Sequence, residues 1–141
     1  MRRARFIILG MLALPVLTTQ IAQAADGKLS SAVSMQAGPG AEFPEVRRLA
    51  KDLTVDIHGC LKSWDWCDVS WRGNRGWIPA AAIDYRHDNQ RVPIKDVGPQ
   101  TGVPEVTFQL HSYWESNYNG ALWYGQRDAY IKQNASYDIA K

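Results

Sequence analysis

The sequence predicts an all-β fold, a small barrel of about five short strands followed by a C-terminal aromatic-rich extension. Three observations predict it. Short runs of alternating apolar and polar residues recur between Ala32 and Tyr85, with turn signals about every 8 to 12 residues. The dipeptide Gly73-Asn74 between two such runs is of the kind that closes a two-residue hairpin. Eight of the 15 aromatic residues fall after residue 105, too many for a plainly disordered tail.

The chain opens with a charged MRRAR, an apolar run from Phe6 to Leu17 and the small-residue pattern Ala22-Gln23-Ala24. This is the layout of a secretory signal peptide, residues 1–24, with cleavage expected after Ala24. The 12-residue apolar run is too short for a bilayer, which takes roughly 20 residues, so no stable membrane span is expected after cleavage. Loss of the leader leaves 117 of 141 residues and removes Arg2, Arg3 and Arg5, which turns the net charge from +2 to −1. That balance gives no electrostatic case for nucleic acid. The expected location is periplasmic or secreted.

Residues 25–30 are small and polar and read as a mobile lead-in. Ala32 to Gln36 alternates and reads as a strand, and Ala37-Gly38-Pro39-Gly40 as a turn. Val46 and Leu49 flank Arg47-Arg48 in a second short strand, where the paired arginines fit either an anion site or a solvated strand edge. Leu53, Val55 and Ile57 mark the next strand. Trp66 to Trp71 and Gly76 to Ile78 form the hairpin, ended by Pro79, which has no N–H for a ladder. With Gly73-Asn74 as the loop, Trp71 would face Gly76 and Ser70 would face Trp77. Cys67, Val69, Trp71 and Ile78 then share one side, and Trp66, Asp68, Ser70 and Trp77 the other. Ala80 to Ala82 suits a 3₁₀ turn, and Asp84-Tyr85 a last short strand.

Cys60 and Cys67, in a chain read as exported, point to one disulfide around the loop LKSWDW. Parity puts Cys60 outward and Cys67 inward, and a bulge at Gly59 would reconcile them. A metal site from His58, Cys60 and Cys67 is the rival, weakened by the missing fourth ligand.

The run from Ser31 to Tyr85 resembles the bacterial SH3 (SH3b) domain family. The matching pieces are Met35 with Gly38-Pro39-Gly40 and Phe43-Pro44, Val46 and Leu49, Gly59-Cys60, Trp66-Cys67 and Val69, then Gly73, Gly76-Trp77-Ile78 and Ile83. The resemblance implies an SH3-like barrel over residues 31–85. It also implies a non-catalytic module that binds peptidoglycan through its peptides or glycan.

Residues 86–105 are polar and rich in proline and glycine and read as a linker. In the extension, residues 106–141, Val106 to Leu110 reads as a strand and Trp123 to Lys132 as a short helix.

The cysteines with His58, His87 or His111 would make a thiol hydrolase only if the thiols were free, and no H-E-x-x-H, G-x-S-x-G or phosphate loop is present. The expectation is therefore a monomeric binder with no catalytic activity, cofactor or metal. A shallow aromatic groove would carry it: Trp64, Asp65 and Trp66 in the disulfide loop, Trp77 beside Trp66, and Phe43 and Tyr85 opposite. Asp65 and Asp68 would accept hydrogen bonds. The alternative is a scaffold or envelope protein–protein interaction module whose aromatic tail packs on the barrel, since strand edges and exposed rings invite such cover.

Overall fold

The computed structural model describes residues 24–133, and the expected signal peptide lies, but for Ala24, outside them. Eight strands form one antiparallel sheet: β1 (Ala25–Leu29), β2 (Val33–Gln36), β3 (Glu45–Leu49), β4 (Thr54–Cys60), β5 (Trp66–Trp71), β6 (Asn74–Pro79), β7 (Ile83–His87) and β8 (Gln90–Pro93). Their order is β3-β2-β6-β5-β4-β1-β7-β8. The ladder begins at β3 and ends at β8 without closing on itself, so the expected five-stranded closed barrel is corrected to an open sheet of eight strands.

Two of the added strands come from segments read as unstructured. Residues 25–30 hold β1, which sits between β4 and β7 and buries Gly27 and Leu29 while Asp26 and Lys28 turn outward. Residues 86–105, read as a linker, begin with the β7–β8 hairpin. Its loop is Asp88-Asn89, both at positive φ (47° and 63°), the conformation of a type I′ turn made here without glycine. Helix α1 (Ile94–Val97) and a 3₁₀ turn at Gly98–Gln100 follow, and Ile94 is fully buried. The expected 3₁₀ turn at Ala80–Ala82 is present.

The β5–β6 hairpin keeps the expected faces but not the register. Its loop is Arg72-Gly73, at φ 46° and 78°. Trp71 faces Asn74, Val69 faces Gly76 and Asp68 faces Trp77, two residues away from the sequence reading. A shift of two preserves side-chain parity, which is why the faces survive. The bulge expected at Gly59 is present between Ile57 and Gly59, and it sets Cys60 directly opposite Cys67, where they form the disulfide. Both thiols are consumed, which removes the metal and thiol-nucleophile readings of these cysteines. Residue 59 is a glycine because a later segment passes close over it: a Cβ there would run into Val106. There the chain docks parallel to β4: Cys60 N–H donates to Pro104 O (3.0 Å) and Val106 N–H to Cys60 O (2.8 Å).

Beyond that bridge, Val106 to Leu110 is not a strand. Helix α2 (Leu110–Tyr118) begins at its end, and α3 (Arg127–Gln133) overlaps the helix expected at Trp123–Lys132. Leu110, Trp114 and Tyr118 are spaced four apart, one face of a helix, and all three are buried.

The sheet therefore has a core on each side. Leu29, Met35, Leu49, Val55, Ile57, Val69, Ile78 and Ile83 pack on one, joined by Trp64, Ile94 and Val103. Ala37, Phe43 and Trp77 pack on the other against Phe108, Leu110, Trp114 and Tyr118 of the extension.

Candidate functional site

The six residues expected to bind ligand divide into two groups. Phe43, Trp66 and Trp77 do come together on one face, but the chain's own extension occupies it. Phe43 meets Phe108 edge-on at 5.5 Å and stacks on Tyr130 at 6.1 Å. Trp77, 1% exposed, meets Phe108 at 5.5 Å and Tyr113 at 5.8 Å. Half-buried Trp66 packs against the same cluster. The Trp114 indole N–H donates to Ala37 O at 2.8 Å and pins α2 above the expected groove.

Trp64, Asp65 and Tyr85 lie apart from that group and hold the segment after β8. Trp64 is 6% exposed, its ring pressed against Gly98, where any Cβ would collide with it. The side chain is a packing element, not a loop-tip platform. Asp65 pairs with Lys95 at 2.7 Å, and the hydrogen bond with that ammonium holds its carboxyl below the ordinary value. The Tyr85 hydroxyl donates to Thr101 O at 3.3 Å.

A polar cluster joins the sheet to α2. Asp68, 5% exposed, takes a forked pair of hydrogen bonds from Arg75, Nε to Oδ1 at 2.8 Å and Nη2 to Oδ2 at 2.6 Å. The Tyr113 hydroxyl donates to Asp68 Oδ1 at 2.6 Å, and the Tyr118 hydroxyl to Arg75 O at 2.7 Å. The hydrogen bond to Asp68 holds the guanidinium above its ordinary pKa. Burial pushes both phenols well above theirs, so they remain donors at any ordinary pH. Asp68 was read from sequence as a hydrogen-bond acceptor, but Arg75 and the tyrosines were not read as its partners. The signal was the hairpin register: with Ser70 opposite Arg75, Arg75 sits diagonally from Asp68 on one face.

No family model matches this chain, and neither does any curated protein or solved structure. The geometry of the chain itself therefore carries the functional argument.

Two clefts meet at Arg75. One, of about 500 Å³, lies between the β5–β6 hairpin and α2 and is lined by Asp68, Arg75, Tyr113, Thr107, Gln109 and Asn117. Its wall is hydroxyl- and amide-rich. Asn117 Nδ2 donates to Tyr113 O and Ser112 Oγ to Gln109 O, whereas the side chains of Thr107 and Gln109 take no protein partner among the described residues. The second, of about 720 Å³, includes Ile57, His58, Arg75, Thr101, Val103 and Pro104. His58 Nε2 is hydrogen bonded to Ser70 Oγ at 2.8 Å, and burial, followed by the Arg75 charge, lowers its pKa. Among the described residues no group of three His, Cys, Asp or Glu is placed to hold a metal ion, and no helix is long and apolar enough to cross a membrane.

Proposed function

We propose that the chain is a non-catalytic exported binding module of the bacterial cell envelope that recognises peptidoglycan peptide or glycan. The proposed site is the cleft between the β5–β6 hairpin and α2, not the aromatic face. The observation that carries the reading is the composition of that cleft. Neutral hydroxyl and amide side chains line it together with Tyr113 and the forked Arg75–Asp68 pair. Sugar hydroxyls and peptide amides need such a mixture of donors and acceptors beside an apolar ring face. The SH3b resemblance of residues 31–85 supports the ligand class, and the Cys60–Cys67 disulfide fits an oxidising, extracytoplasmic compartment.

A second reading rests on the covered face. Phe43, Trp66 and Trp77 are capped by α2 and α3, so a partner protein that displaces the extension would find an aromatic surface. Binding of the oxidised protein to insoluble peptidoglycan separates the two. Exposed Ser116 of α2 also lines the cleft, and retention lost in Ser116→Trp, which fills it at unchanged melting temperature, supports the cleft. Retention unchanged by that substitution rejects it. Retention that rises in Trp114→Ala, which loosens the extension, moves the wall ligand from the cleft to the covered face. No retention in any form rejects the wall ligand and favours an envelope protein.

A further inference from the structure

At the tip of the β5–β6 hairpin and the edge of the sheet, two guanidinium groups share one half-exposed ring. Arg47 Cζ lies 5.1 Å and Arg72 Cζ 4.7 Å from the centre of the Trp71 indole. Neither arginine has an ion-pair partner among the described residues, although the chain without its leader is slightly acidic. Each stack on the indole face is favourable, but together they crowd two like charges around one ring.

The backbone at Arg72 adds an independent observation. It occupies the first loop position at φ 46°, a left-handed conformation that asparagine or glycine would adopt at lower cost. Asn74 Nδ2 donates to Trp71 O (3.2 Å) and Arg72 O (3.4 Å), which fixes the tip in this shape. A bulky cation is thus held in a conformation that disfavours it, with its charge unpaired. Such an outlier points to a role for the charge.

We propose that Arg47, Trp71 and Arg72 form a subsite for phosphate groups, separate from the cleft at Arg75. Two planar forks held beside one ring suit a tetrahedral oxyanion, which offers oxygens in several directions, better than a carboxylate, which offers a single edge. The position at the edge of the sheet admits either a free phosphate or one displayed on a lipid surface.

The test uses the full oxidised chain and follows the Trp71 indole N–H resonance by NMR, with inorganic phosphate and with vesicles containing phosphatidylglycerol or only phosphatidylcholine. The expected result is a saturable shift of that resonance with phosphate, or with phosphatidylglycerol vesicles and not phosphatidylcholine. Phosphate alone would identify a soluble ligand, and vesicles alone a membrane surface. Arg47→Gln/Arg72→Gln should weaken the response about 30-fold, taking roughly one kcal/mol per basic residue near an anionic surface. Arg47→Lys/Arg72→Lys should retain vesicle attraction but lose the Trp71 shift, since lysine keeps the charge without the stacked fork. Arg86→Gln/Arg91→Gln removes the same charge at the other end of the sheet and should change nothing. No shift with either probe overturns the proposal. So does equal weakening by the two glutamine pairs, which would show diffuse attraction only.

Discussion

The Tyr113 hydroxyl donates to Asp68 Oδ1 at 2.6 Å across 45 positions of sequence, and this bond ties the C-terminal extension to the central hairpin. Asp68 is buried, and its other hydrogen bonds come from Arg75. Tyr113→Phe removes a donor to a charged acceptor and should lower stability by about 1.5–3 kcal/mol. Asp68→Ala should be worse, because it strands both the phenol and the guanidinium. Urea unfolding followed by tryptophan fluorescence measures both. Equal stability of Tyr113→Phe and the parent protein would show that the bond does not hold the extension.

Removal of residues 106–141 uncovers Phe43 and Trp77 but leaves all eight strands. That truncation should retain its far-UV β signal, bind a hydrophobic dye and self-associate, because an exposed aromatic face of this kind is a docking liability. Removal of residues 86–141 also takes β8, Ile94 and Val103, and it exposes the Trp64 ring that lies against Gly98. It should not fold. Circular dichroism and sedimentation of the two truncations provide the check, and a folded, monomeric 25–85 fragment would contradict it.

Local chemistry made parts of this architecture readable in the sequence. The Cys60–Cys67 bridge followed from two cysteines in a chain read as exported, the Gly59 bulge from the parity conflict that this bridge raises between β4 and β5, and the two faces of the hairpin from alternation. The loop did not, because Arg72 enters a left-handed position that sequence preference gives to Gly73-Asn74. Asp88-Asn89 likewise looked like linker, although asparagine and aspartate tolerate positive φ well enough to make the β7–β8 turn. Strand β1 was hidden by brevity: only Gly27 and Leu29 face inward, and a glycine carries no apolar signal. Trp66 and Trp77 were assigned to one face and Phe43 was set opposite with Tyr85, whereas the structure joins Phe43 to the tryptophans; periodicity does not say which segment covers a face. That depended on Trp114 reaching Ala37 across 77 positions.

Reduction of Cys60–Cys67 frees a small loop in the unfolded chain and should lower stability by about 2–3 kcal/mol. The loss should be felt first where Pro104 and Val106 dock on Cys60, since the bridge fixes that end of β4. Hydrogen exchange with and without reductant measures it, with faster exchange expected at the Cys60 and Val106 amides. A mass unchanged by reduction would mean that the thiols are not paired.

His58 sets a pH dependence. Burial, then the Arg75 charge, lowers its pKa below the ordinary 6.5, so the fold favours the neutral ring hydrogen bonded to Ser70. In the unfolded chain the imidazole takes up its proton near pH 6.5. Between that value and the lower folded one, the unfolded state binds more protons, and stability must fall as the pH falls. The contribution is complete above the unfolded pKa and declines below it. Urea midpoints of the parent protein should therefore drop between pH 7.5 and 5.0 by more than those of His58→Gln, whose amide can still bond to Ser70 but does not titrate. Parallel midpoints for the two proteins over that range would place the imidazole in the same environment folded and unfolded, and the burial argument would fail.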